Sequence, residues 1–228
     1  MTLPSLRTSL FGMLATTAFA VALEAAPADT AALSRYRGFI LESSVAEVLG
    51  TSGARPADVE TLHTRPAPIQ QLEWRAPYVG STVVDADPVR SILFAFHEGQ
   101  LYQMTVTYHR ERTEGLSTAD LVAALTETYG PPVASTVRAR AGQVTSETIT
   151  LARWTGPDQS ITLTRGSYAP DVQLIVRATG RAERAAATIR EARALDTAEA
   201  PARQQEARDK ALAEAAAAKR RNKPAFKP

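Results

Sequence analysis

Large side chains recur at every second position through most of the segment from Ser91 to Tyr108, and this pattern favours extended structure. Most of the large apolar residues fall at even positions: Ile92, Phe94, Phe96, Tyr102, Met104, Val106 and Tyr108. A side-chain period of two is typical of strands with one buried face. For even positions to share a face across an antiparallel pair, the loop must hold an odd number of residues. The pattern therefore predicts a hairpin with the three-residue loop His97-Glu98-Gly99, in which Gly99 is left-handed and His97 is exposed.

A helix with a clear start signal follows this hairpin. Ser117 precedes an acid three residues later, Asp120, which is a variant of the S-x-x-E capping box. Gly130 and the prolines after it end the segment, because glycine closes a helix and proline cannot continue one. The sequence predicts a helix from Ser117 to Tyr129 that buries Leu121, Ala124 and Leu125.

The same order of features occurs twice. In the first half a capping box at Ser44 precedes a strand that carries Trp74, and the hairpin follows. In the second half the Ser117 helix precedes a strand that carries Trp154, and the strands 160–164 and 172–178 follow. The predicted fold class is α+β, with helices on one face of a meandering antiparallel sheet. Two interpretations stay open: a tandem helix–β–β–β duplication with repeats at 35–108 and 115–178, or one α+β domain with two helices.

The two ends of the chain differ in composition from its middle. Residues 1–28 resemble a secretory signal peptide, with Arg7, an apolar run from Leu10 to Leu23 and the small-x-small site Ala26-Pro27-Ala28. An uncleaved N-terminal anchor is the open alternative. We expect an α+β domain at 29–180 and a tail at 181–228, in a protein that is periplasmic or secreted after cleavage. The chain has no cysteine, which excludes disulfides, thiol catalysis and cysteine-based zinc sites.

The tail is basic and rich in alanine. Residues 181–228 hold 12 basic and 7 acidic side chains, whereas residues 29–180 hold 13 arginines and 16 acids. The pI near 9.0 therefore reflects the tail and predicts no nucleic-acid partner for the domain. High helix propensity with a break at Pro201 predicts two helical or disordered pieces that dock weakly on the domain. The cluster Lys219–Lys223 could contact an anionic membrane or a cell-wall polymer.

Short motifs in both halves carry a resemblance to known periplasmic proteins. Gly38, Ser44, Glu47 and Val48 surround the first helix start, and Phe94, Phe96, Gly99 and Leu101 form the hairpin. This combination resembles the small α+β units of the outer-membrane assembly lipoproteins of the BamE type and of the β-lactamase inhibitory proteins. The resemblance implies non-catalytic binding of other proteins on a sheet surface. The chain departs from the lipoproteins because it lacks the cysteine that would be lipidated.

No catalytic, cofactor-binding or metal-binding residues can be assigned from motifs. His63, His97 and His109 are far apart in the predicted topology, and no zinc-protease, nucleophile-elbow or phosphate-loop motif is present. Asp85-Ala86-Asp87 lacks the later ligands of a calcium loop and predicts a polar turn before Pro88. Glu111 and Glu114 are predicted to lie in a solvated linker rather than to form a general-acid pair.

The side of the predicted sheet that faces away from the helices is polar. Its predicted partner-binding residues are Gln103, Thr105, Thr107, Thr162, Thr164 and Arg177, with Gln173 beside them. Threonine packs well on a pleated surface and leaves a hydroxyl for a partner, although such a face can also simply meet water. The sequence thus favours an exported, non-catalytic protein that binds a protein or envelope component. The alternatives are an enzyme without a recognisable motif and a structural envelope protein that acts through its tail.

Overall fold

A computed structural model describes residues 30–75, 87–133, 148–166 and 171–224 of the chain. The segment predicted as a signal peptide, residues 1–28, lies outside the described residues. Asp85 and Ala86 of the polar turn lie outside them as well.

The described residues form an α+β fold. Its helices are α1 (Thr30–Leu33), α2 (Val45–Ser52), α3 (Arg110–Thr113), α4 (Thr118–Tyr129) and α5 (Thr179–Asn222), with a 3₁₀ turn at Pro56–Asp58. Its strands are β1 (Arg35–Tyr36), β2 (Phe39–Ile40), β3 (Val59–His63), β4 (Ile69–Arg75), β5 (Val89–His97), β6 (Gln100–Tyr108), β7 (Thr148–Thr155), β8 (Gln159–Gly166) and β9 (Val172–Ala178). Strands β1 and β2 pair only with each other.

The other strands form one antiparallel sheet in the order β3-β4-β5-β6-β9-β8-β7. The units β4-β5-β6 and β7-β8-β9 therefore meet at the β6–β9 pair. In each unit the last strand lies at this pair and the first strand lies farthest from it. The registers of the two units correspond as well: Trp74 pairs with Ile92 in the first, and Trp154 pairs with Ile161 in the second. Both tryptophans lie on the same face as the core.

One face of the sheet carries the hydrophobic core. The even positions of the predicted hairpin lie there except Tyr102, whose place in the core is taken by Leu101. Ile92, Phe94, Met104 and Val106 have no exposed surface. They pack with side chains of the second unit and of the N-terminal segment; these are Leu33, Phe39, Leu41, Val48, Trp154, Ile161, Leu163, Leu174 and Val176. The ring of Phe39 meets that of Phe94 at a centroid distance of 4.6 Å.

The hairpin connection differs from its prediction. The loop has two residues, because His97 pairs with Gln100, and Glu98 and Gly99 both have positive φ of 54° and 74°. Two residues of positive φ form the turn that best fits the twist of a hairpin. The pairing shifts by one residue after Leu101, which leaves Tyr102 as an extra residue in β6. Because of this bulge, the even positions of both strands share one face beyond Tyr102, as they would with the predicted three-residue loop.

The predicted helix starts are confirmed. Ser44 and Ser117 both accept a hydrogen bond from the third residue of their helix, and the side chains of Glu47 and Asp120 accept from the serine backbone. The prediction for the buried side of α4 was partly wrong: Leu121 and Leu125 pack against the core, but Ala124 is exposed and Val122 packs instead. Val122 and Ala124 are two positions apart, which turns their side chains to different sides of the helix.

The tail is a single helix rather than two pieces. Helix α5 continues through Pro201 from Thr179 to Asn222. Proline there cannot donate to the carbonyl one turn earlier. The side chain of Arg203 donates to the carbonyl oxygen of Asp196, about two turns earlier in the helix, at 3.0 Å. The prediction that the tail docks weakly is also wrong for its first half, in which Ala185 and Ala192 are buried.

Candidate functional site

The strand registers place all of the predicted partner-binding residues on one surface. We call this surface, on the side of the sheet opposite the core, the second face. One row crosses six strands and consists of Glu73, Leu93, Thr105, Ile175, Thr162 and Arg153; we call it the central row. The row nearer α5 contains Gln103, Arg177 and Ser160. The row on the other side contains Thr107, Gln173 and Thr164.

The predicted residues differ in how far a partner could reach them. Thr107 is 6% exposed and Thr164 is 5% exposed, so they offer little contact area. Gln103, Thr105 and Thr162 are half-buried, and Arg177 is exposed. The accessible part of the second face therefore lies in the central row and in the row nearer α5.

Hydrogen bonds between strands fix the positions of these polar side chains. Nε of Arg177 donates to Oε1 of Gln103 at 2.9 Å, and Nε2 of Gln103 donates to Oγ1 of Thr105 at 3.1 Å. In the next row Nε2 of Gln173 donates to Oγ1 of Thr107 at 3.3 Å. A side chain that is already held in place loses less conformational entropy on binding, so this network prepares the surface for contact.

Three further residues belong to this surface and were missed by sequence reasoning. Leu93 is 37% exposed, Ile175 is half-buried, and Arg153 is exposed. Strand alternation places the odd positions Leu93 and Ile175 on the second face. Sequence reasoning missed both because it looked only for polar side chains on that face. Arg153 and Arg177 form no ion pair with the described residues.

The first half of α5 covers one end of the second face. The helix contacts β9, β6 and β5, and its ion pairs reach the far edge of the sheet, where Arg65 binds Glu199 at 2.8 Å. His97 and Ile69, which pair across β4 and β5, are 4% and 1% exposed. The prediction that His97 is exposed was therefore wrong. Its Nε2 lies 3.0 Å from Oγ1 of Thr188 on α5.

The side of α5 that faces the sheet repeats at helical spacing. Ala185, Thr188, Ala192 and Leu195 follow one another at three or four residues, and the two alanines are the most buried. Small side chains let the helix backbone come close to the strands. The sequence did contain this stripe, but alanine is so frequent in the tail that the stripe could not be told from its background.

A shallow cavity between β3 and α5 brings a histidine close to an acid from a distant part of the chain. It has a volume of about 200 Å³ and is lined by His63, Leu195 and Asp196 among others. Nδ1 of His63 lies 3.8 Å from Oδ2 of Asp196, too far for a hydrogen bond, and Arg203 also binds this carboxylate at 3.3 Å. Typical ligand pockets are larger, at about 300–1,000 Å³.

The remaining titratable groups have structural surroundings. Both carboxylate oxygens of Asp87 accept hydrogen bonds from Arg37 at 2.6 Å, which agrees with a polar turn. The side chain of Glu111 is 79% exposed and lies 3.9 Å from Nδ1 of His109, whose backbone N–H donates to the carbonyl oxygen of Pro88. Burial raises the pKa of Tyr129 to about 12 and also raises the pKa of Tyr108, but both tyrosines pack at the core.

The described residues contain no group of three or more His, Cys, Asp or Glu side chains that could hold a metal ion. None of their helices has the length and apolar character needed to cross a membrane.

Comparisons with known proteins leave the family open. No protein-family model, no curated protein and no solved structure matches this chain. The resemblance to BamE-type and β-lactamase inhibitory proteins thus stays a prediction from short motifs.

Proposed function

We propose that this chain is an exported, non-catalytic protein that binds a partner protein through the second face of its sheet. The observation that carries the proposal is the central row: Leu93 and Ile175 remain accessible there although the other face offers a complete core. Thr105 separates these two apolar side chains and Thr162 lies beyond Ile175, with Arg153 at the end of the same row and Arg177 in the next row. Apolar centres bordered by arginine and polar side chains are typical of protein interfaces.

The arrangement supports binding better than catalysis. The groups whose pKa is raised most strongly are Arg37, which is held by Asp87, and the tyrosines Tyr108 and Tyr129, which are packed against the core. The cavity that joins His63 to Asp196 is small, and the acid is shared with Arg203. An enzyme remains the rival proposal, and it would place its site there: mutation of His63 would then abolish the activity and leave the second face irrelevant.

We also propose that the two three-strand units arose by tandem duplication. The mirrored strand order and the equivalent positions of Trp74 and Trp154 support this origin, as do the capping boxes before each unit. The second face would then combine equivalent surfaces of both units. Superposition of the units in an experimental structure tests the idea, and a best superposition that does not align Trp74 with Trp154 would contradict it.

A charge-reversal variant tests the binding surface. Arg153→Glu/Arg177→Glu changes two exposed side chains of the second face, and Arg190→Glu/Arg208→Glu reverses the same number of charges on exposed positions of α5. All three proteins are used as bait in extracts of cells that export the chain. A captured protein is then purified, and its Kd for each bait is measured by calorimetry.

The proposal expects the wild type and the α5 control to bind with the same Kd, and the second-face variant to bind at least about tenfold more weakly, which corresponds to about 1.4 kcal/mol. Thermal melts of the three baits should coincide, because every changed residue is exposed. Equal binding by all three baits would reject the second face as the interface.

A further inference from the structure

The second half of α5 leaves the body of the protein. From Pro201 to Pro224 every residue is exposed apart from the half-buried Ala218. The last ion pair between α5 and the body is that of Arg65 with Glu199, and Arg203 still lines the cavity beside β3. At a rise of 1.5 Å per residue, the helix from Pro201 to Asn222 extends about 33 Å beyond that point. We call this part of α5 the arm.

Charge is distributed unevenly along the arm. Its first part is balanced, since Arg203, Arg208 and Lys210 stand against Glu206, Asp209 and Glu214. The four residues after Glu214 are alanines, and the helix then ends in a cluster of cations that we call the tip: Lys219, Arg220, Arg221 and Lys223. None of these four side chains forms an ion pair with the described residues.

At 100° per residue, the four cations of the tip point to several sides of the helix. A linear polyanion that lies along a helix would be bound best by cations spread along one side, and the balanced first part of the arm offers no such stripe. A flat anionic surface that meets the helix end-on contacts all four cations together. The distribution of charge therefore fits a surface better than a strand of nucleic acid or another chain polymer.

We propose that the tip binds the headgroups of an anionic phospholipid bilayer and that the arm holds the body at a distance from it. Each basic residue near such a surface contributes about a fivefold gain in affinity at moderate ionic strength. The four cations together then change partition by about a hundredfold or more. The helix dipole contributes little to membrane affinity. It stabilises cations at the C-terminal end of the helix equally in solution and at the membrane.

Co-sedimentation with lipid vesicles tests the proposal on the full chain. One set of vesicles mixes phosphatidylglycerol with phosphatidylcholine, and the other contains phosphatidylcholine alone. The tip variant is Lys219→Gln/Arg220→Gln/Arg221→Gln/Lys223→Gln. The control Arg190→Gln/Arg193→Gln/Arg208→Gln/Lys210→Gln has the same net charge, and its changes lie on exposed positions of α5. All proteins share the apolar run Leu10–Leu23, so its contribution shows equally on neutral vesicles.

The proposal expects the wild type to prefer anionic vesicles and to lose that preference in high salt. The tip variant should lose about a hundredfold in partition to anionic vesicles, and the control should lose less than about tenfold. Equal losses in both variants would show that only net charge matters and would overturn the proposal. It would also be overturned if the wild type bound both vesicle types equally, or if soluble polyphosphate at equal phosphate concentration displaced it completely.

Discussion

Residues on two neighbouring strands have opposite roles in this sheet, and single substitutions distinguish them. Phe94 has no exposed surface and packs on Phe39. Thr105 lies on the neighbouring strand and is half-buried on the second face. Phe94→Ala should lower the free energy of unfolding by about 3–5 kcal/mol, because it leaves a cavity in the core. Thr105→Ala should cost less than about 1 kcal/mol. Denaturant melts measure both, and a larger cost for Thr105→Ala would invert the assignment of the faces.

The two-residue turn of the hairpin allows a test of backbone strain alone. A Cβ atom on Gly99 would meet nothing within 4 Å, so a substitution there changes only the conformational energy of a residue with φ of 74°. Gly99→Val should cost about 1–3 kcal/mol. Glu98 also has positive φ, and Glu98→Asn should stabilise the protein by a few tenths of a kcal/mol, since Asn-Gly is favoured in this turn. Two variants with unchanged stability would show that the turn has another geometry.

The ion pair between Arg37 and Asp87 makes part of the free energy of unfolding depend on pH. The hydrogen bonds from Arg37 hold the pKa of Asp87 below its usual range. A lowered pKa stabilises the fold above the unfolded value of about 3.9, and this contribution is lost as the pH falls through the folded pKa. Asp87→Asn should therefore cost about 1 kcal/mol at pH 7, because the pair is partly exposed.

This cost should shrink steadily below about pH 4, when the aspartate of the wild type also becomes protonated. Urea melts at a series of pH values measure it. Glu206→Gln, on the exposed arm, serves as the comparison and should change stability at no pH. A cost of Asp87→Asn that is the same at pH 3 and pH 7 would mean that the ion pair contributes nothing.

At the scale of the elements, local signals in the sequence were sufficient for helix starts and for strand faces. The capping serines Ser44 and Ser117 needed only their own neighbours, and period-two alternation placed Phe94 and Met104 in the core. The length of the hairpin loop could not be predicted. A two-residue turn with a bulge at Tyr102 places the same positions on the core face as a three-residue loop would. Docking of α5 depends on contacts between residues about 90 positions apart, such as His97 and Thr188, which no local pattern records.

Helix α5 should contribute to stability through its first half only. Truncation after Gly180 uncovers Ile69 and His97 and should cost at least about 2 kcal/mol, which is about 4–8 °C in melting temperature for a chain of this length. Truncation after Ala200 removes only exposed residues and should change the melting temperature by less than about 2 °C. Differential scanning calorimetry of both fragments measures the difference. Equal melting temperatures for the two fragments would mean that α5 does not pack on the sheet.

At the scale of the whole molecule, the two faces of one sheet have different roles. One face forms the core with side chains from both three-strand units, and the second face is covered by α5 at one end and remains accessible in its central row. The polar residues of that row could be predicted from strand parity alone. The accessible leucine and isoleucine could be recognised only when the register placed Leu93 and Ile175 beside Thr105.

The chain has no cysteine, so a single introduced thiol can report directly whether a partner covers the second face. Thr105→Cys places a single thiol in the central row, and Arg208→Cys places one on the exposed arm. The rate of thiol labelling is measured for each variant, alone and with a saturating amount of the partner purified by the bait experiment. The account predicts that Thr105→Cys reacts when free and is protected by the partner, whereas Arg208→Cys reacts equally in both states. A bound partner that leaves the labelling of Thr105→Cys unchanged, or a thiol at this position that does not react in the free protein, would contradict it.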